Sequence, residues 1–216
     1  MGLSNIIFLI LLVGATLLFV INVRKVRRNI LLGRDVDRSD RKGERWKIMT
    51  LVALGQKKMF ARPLPALLHL FVYVGFVLIN IEVLEMFIDG TFGTHRALSF
   101  LNFSDNFRLY DWMIGSFEIL AFLVTFGCIV FLLRRNVVHV KRLVMKELNG
   151  WPKMDANIIL ISEILIMGSL FFMNAADQSL STFGYSAAFT LDHAGWFPIS
   201  KYLVPLLPDD LGTVAF

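Results

Sequence analysis

The chain has 216 residues, 56% of them hydrophobic, with 20 phenylalanines and a mean hydropathy of +0.64, and so reads as an integral membrane protein. Its net charge of +5 invites a nucleic-acid reading, but the charges cluster in two loops between apolar runs, which is membrane topology, so no nucleic acid is expected. The single cysteine, Cys128, excludes a disulfide framework within the chain and an iron–sulfur cluster, which needs several thiolates.

Residues 3–23 form the first apolar run. No basic segment precedes it, and Arg24, Lys25, Arg27 and Arg28 follow it. That order fits a retained span rather than a signal peptide, with its N-terminus outside. Residues 24–62 hold 13 Lys/Arg against four Asp/Glu. This loop reads either as a solvated segment held near anionic lipid or as a docking surface for an acidic partner. From Trp46 to Phe60 apolar character returns, which predicts an interfacial helix.

The second span, about 64–88, begins with Pro63 and Pro65, where missing amide donors cost little. His69 lies about five residues into it, roughly 8 Å inside the inner edge. An imidazole at that depth is costly unless it binds something, and haem iron is a ligand that histidine commonly takes. At 100° per residue Val72, Tyr73, Phe76 and Asn80 share the His69 face. Asn80 stands about 16 Å further along, where an amide makes a poor haem ligand. Glu82 and Glu85 point away from that face and read as interfacial residues near the outer end, with a quinone or proton role as the lesser alternative.

Residues 89–111 form an outer loop in which His95 reads as solvated. The third span covers about 112–133, anchored by Tyr110 and Trp112 at the interface. Its Glu118 reads as a carboxylate bonded by a neighbouring helix, with a place on a proton path to a quinone as the rival. The second inner loop, 134–155, has six basic and two acidic residues. Its stretch VVHVKRLVMKEL has helical spacing and predicts an extension lying on the membrane, with His139 on its surface and a break at Gly150–Pro152. The fourth span runs from about 156 to 176 and contains Glu163. The outer tail, 177–216, is aromatic and turn-rich and includes His193, and its apolar piece Tyr202–Leu207 is too short to span.

The two inner loops hold 13 and six basic residues, and the outer segments three. Four spans with both termini outside follow from that division. The expected fold is an all-α integral membrane helical bundle of one domain, in the inner (cytoplasmic) membrane of a bacterium.

The stretch GQKKMFARPLPALLHLFVYVGF (55–76), the segment EILIMGSLFFMNAAD (163–177) and WFPISKYLVPLL (196–207) resemble the N-terminal membrane part of membrane-bound iron–sulfur oxidoreductases. That part is similar to the gamma subunit of respiratory nitrate reductase, a b-type cytochrome of five spans. The resemblance implies haem b held by His69, with Tyr73, Phe76 and Asn80 lining the site. It also implies a cytosolic iron–sulfur domain or subunit as one redox partner and a membrane quinone as the other. The chain would be an electron-transfer component rather than an independent enzyme. The family pairs its second-span histidine with one on the fifth span, and here the sequence stops short of that span. The second axial ligand is therefore expected from an additional histidine-bearing helix outside this chain. A haem-free membrane anchor or assembly subunit is the alternative, with His69 and the intramembrane carboxylates serving packing. A transporter ranks third, since no inverted repeat or broken helix pair is visible.

Overall fold

The computed structural model describes residues 2–34, 37, 39–104, 107–140, 143, 145–182 and 196–207. His193 and the acidic residues of the tail, Asp192, Asp209 and Asp210, lie outside them. Five α-helices make up the described chain: α1 (Leu3–Leu31), α2 (Lys42–Ile48), α3 (Pro63–Phe92), α4 (Leu109–Asn136) and α5 (Trp151–Thr182). Four of them, α1, α3, α4 and α5, are long and apolar enough to cross a membrane. The chain is an all-helical, multi-pass membrane protein in architecture, apart from a short antiparallel pair, β1 (Asn102–Ser104) and β2 (Phe107–Arg108). Two compact units divide it, Met1–Ala66 with Phe87–Thr94, and Leu67–Met86 with His95–Phe216.

In the first unit α1 has no buried residue. It continues past Val23 to Leu31, so that Arg24, Lys25, Arg27 and Arg28 ride on the same helix as the apolar run; basic side chains suit its C-terminal end. At the other end Gly2 N–H donates to Asn5 Oδ1 at 3.0 Å, and Asn5 Nδ2 donates to the Gly90 carbonyl at 3.0 Å. Phe8 packs beside Phe87 with ring centres 6.3 Å apart, over Gly90, where any Cβ would collide with the Phe8 ring. The expected interfacial helix begins earlier than Trp46, at Lys42, and passes into a π-helical turn, Met49–Leu54. It stops at Gly55 and Gln56, the latter in the left-handed conformation, before a 3-10 turn at Lys57–Ala61.

The second unit is the packed bundle. α4 buries Ile114, Phe117, Ala121, Val124 and Cys128 on one stripe at helical spacing, and these meet Met167, Leu170 and Phe171 of α5. Small residues let α3 and α4 approach closely. A Cβ at Gly75 would collide with Val124 Cγ2, and one at Gly127 would lie 3.3 Å from Val72 Cγ2. Asn102 caps α4 by accepting from Tyr110 N–H at 3.0 Å, while its amide donates to Asp111. At the far end Asn136 of α4 and Asn157 of α5 exchange two side-chain hydrogen bonds, at 3.3 and 3.1 Å.

The helical extension expected in 134–155 does not form among the described residues. α4 closes at Asn136, where the amides of both Val137 and Val138 turn to the Leu133 carbonyl. Three β-branched valines and a left-handed His139 follow, a poor setting for further helix, and α5 starts at Trp151 beside Gly150. His139 is exposed, its Nδ1 2.8 Å from the Val137 carbonyl. Residues 196–207 of the tail pack on the bundle: Phe197 joins the core, and Trp196 lies on Gly115, where a Cβ would collide with the indole.

Candidate functional site

His69 sits on α3 one turn beyond Pro65, half-buried, with Tyr73 half-buried one turn on. Its Nδ1 is fully buried and has no hydrogen-bond partner. Phe76 and Asn80 come next on the same face, and both are exposed at the side of the bundle. Asn80 turns its amide back to the Phe76 carbonyl, which satisfies one donor within the helix.

A cavity of about 240 Å³ opens there, lined by Val72, Phe76, Ile79 and Asn80 of α3, Val124 of α4, and Glu163 and Met167 of α5. Two of the four sequence-predicted site residues, Phe76 and Asn80, therefore share a cavity. His69 and Tyr73 lie outside its lining. Glu163, treated from sequence as one more intramembrane carboxylate, is brought to it by the packing of α5 against α3 and α4. The volume falls below the roughly 300 Å³ at which pockets for drug-sized ligands begin.

Among the described residues His69 is the one histidine set within a membrane-length helix. Among the described residues no group of three or more His, Cys, Asp or Glu is arranged to hold a metal ion. His95 is 26 residues further along the chain beside Asp177, and His139 is turned to its own backbone. Neither stands as a companion to His69. The unpartnered Nδ1 nonetheless fits a histidine with a ring nitrogen open to a ligand or a hydrogen bond.

At the opposite end of α3 the structure gathers polar groups that the sequence reading kept apart. Glu82 and Glu85 are not interfacial; they are 1% and 2% exposed. The reason is Arg96, which the loop after α3 carries back into the bundle. Its Nε and Nη2 donate to Asp177 Oδ2 at 2.9 and 2.7 Å, Nη2 also to Asn174 Oδ1 at 2.6 Å, and Nη1 to Glu82 Oε1 at 3.3 Å. Burial works against the guanidinium charge, but Asp177 and Glu82 outweigh it and hold the Arg96 pKa above its ordinary value. Glu85 accepts from Tyr110 O–H at 2.9 Å and from Leu98 N–H at 2.8 Å.

Glu118, fully buried on α4, takes Asn174 Nδ2 at 3.1 Å and the Ile199 and Ser200 amides at 2.9 and 3.2 Å, together with the Ser200 hydroxyl. His95 is not solvated as expected; its ring, 31% exposed, lies 3.5 Å from Asp177. One signal for this network is present in the sequence. Four glutamates lie within apolar spans, where a carboxylate calls for a partner, and Arg96 is one of only three basic residues outside the two basic loops.

Comparison with protein-family models, with curated proteins and with solved structures yields no match to this chain.

Proposed function

We propose that the chain is the membrane subunit, or a membrane segment, of an electron-transfer oxidoreductase of the nitrate reductase gamma-like kind. It would supply four of that bundle's five spans. In this reading it holds haem b through His69 and passes electrons between a cytosolic iron–sulfur domain or subunit and a membrane quinone. The observation that carries the reading is the His69 ring, placed within a membrane-length helix with a buried nitrogen that nothing satisfies. Bound there, haem supplies reversible one-electron transfer. The chain's own part is to present the His69 imidazole and to keep water away with Val72 and Phe76, while Tyr73 and Asn80 border the same face. A companion polypeptide, or further chain, supplies a second histidine on a helix packed against that face. The basic segments 24–62 and 134–155 lie in the cytosol of a bacterium and the termini outside its inner membrane, which follows the distribution of Lys and Arg.

The test is a reduced-minus-oxidised spectrum of the chain isolated in mild detergent with whatever copurifies. A b-type spectrum is expected, lost in His69→Ala and retained in His139→Ala. An intact spectrum in His69→Ala overturns the assignment. Cysteines introduced at Ser39 and Phe100 should label from opposite sides of intact cells, Phe100 from outside; labelling of Ser39 from outside reverses the orientation.

A second reading, a haem-free anchor or assembly subunit, is favoured by Glu118. Its several donors make it a packing element rather than a mobile acid. A folded complex with no haem in the unaltered protein would select it.

A further inference from the structure

From the buried network at the Arg96 end of the bundle we infer that Glu82 binds an exchangeable proton at neutral pH, so that this end of the protein is a proton-holding site. The inference does not depend on haem at His69. It rests on charge, on the distribution of donors, and on one unsatisfied oxygen.

Among the described residues four carboxylates are buried together, Glu82, Glu85, Glu118 and Asp177, against one guanidinium, Arg96. Charging His95 as well would bring the tally to two positive against four negative. An excess of negative charge at such depth is not sustained without a bound cation or a proton, because burial disfavours the charged form and like charges add to the penalty. A proton supplies that charge on a single oxygen and needs no surrounding set of ligands.

The donors show where it sits. Asp177 receives two N–H groups of Arg96, Glu85 receives a phenol and an amide, and Glu118 receives two amides, an Asn side chain and a hydroxyl. Each of these three carboxylates is supplied with at least two donors. Glu82 has one bond, the 3.3 Å contact of its Oε1 with Arg96. Its Oε2 is buried with no partner at all. Of the four, Glu82 gains least from being an anion, and Oε2 is the open oxygen that can carry hydrogen.

The groups facing it are Arg96 from the loop, Glu85 on its own helix, Glu118 and Tyr110 from α4, and Asp177 and His95 beyond Arg96. Protonation converts the Glu82 carboxylate into a neutral acid and consumes one hydronium, leaving water. Arg96 then stays paired with Asp177, the better acceptor.

The experiment is infrared spectroscopy of the full chain in lipid nanodiscs at pH 7, in water and in deuterium oxide. A protonated-carboxyl stretch that shifts on deuteration should be present. It should vanish in Glu82→Gln, the neutral isostere, and persist in Glu163→Gln, which removes the half-buried carboxyl at the bundle cavity. A Glu82→Gln variant that keeps the band overturns the inference, as does a band that appears only when sodium is withdrawn. Proton release on unfolding in SDS at pH 7, measured on Glu163→Gln, keeps the question open to refutation should Glu82→Gln fail to fold. About one equivalent per chain is expected, since an unfolded glutamate ionises near pH 4.3. Zero release, or uptake, overturns it.

Discussion

α1 and α5 are both long enough to span a bilayer, and they meet their surroundings in opposite ways. α1 is the more apolar, yet none of its residues is buried. α5 is the least apolar of the four membrane-length helices, and it brings Asn174 and Asp177 into the protein interior beside Met167, Leu170 and Phe171. In a solvent of lipid tails an apolar side chain gains little by exchanging lipid for protein, whereas an amide or carboxylate gains much. Apolarity therefore marks contact with lipid, and polar residues within a span mark contact with other helices.

That contrast can be broken, starting with the largest effect. Arg96→Ala leaves Asp177 and Glu82 without their cation, and should cost about 3–5 kcal/mol in reversible unfolding by SDS. A loss no greater than that of an α1 surface variant would refute the view that the polar network holds the bundle. Gly115→Ala drives a methyl group into Trp196 and should cost about 1–3 kcal/mol, read out with a change in Trp fluorescence as residues 196–207 lift away. Unchanged fluorescence would mean that the tail is not seated on α4. Asn136→Ala breaks the paired amides between α4 and α5 and should cost about 0.6 kcal/mol by the same unfolding assay. Leu11→Ala on α1 should stay within about 0.5 kcal/mol, and a larger loss would show that α1 has a protein partner.

The four membrane-length helices were legible because a run of some 20 apolar residues has few alternatives in structure. Their ends were not. α1 and α5 run on through polar residues, since a helix in water needs only that its backbone stay bonded, and hydropathy is blind to that. The 134–155 loop misled for the opposite reason. Apolar and basic residues recur there at helical spacing, but Val137, Val138 and Val140 favour extended backbone and His139 takes a positive φ. At the site, the shared face of Tyr73, Phe76 and Asn80 with His69 follows from helix geometry alone. The joining of Glu163 to Asn80 across a cavity depends on how α5 rotates against α3, and no local pattern encodes that. The network around Arg96 was hidden by sequence distance, for Arg96 and Asp177 are 81 residues apart. Counting unpaired charges within spans would have called for such a partner without naming it.

The donors around Glu118 arrive in a fixed order during synthesis. Asn174 follows it by 56 residues and Ser200 by 82. At ~5–20 residues per second, roughly 4–16 s separate the making of Glu118 from that of Ser200. During that interval α4 must wait in the membrane with an acid group whose donors have not yet been translated. The last residues of the described chain thus complete the hydrogen bonding of a helix made well before them. Ser200→Ala should accordingly shorten the lifetime of nascent chains in a pulse-chase more than that of protein already assembled; equal lifetimes in the two pools would show that the order of arrival has no bearing on survival.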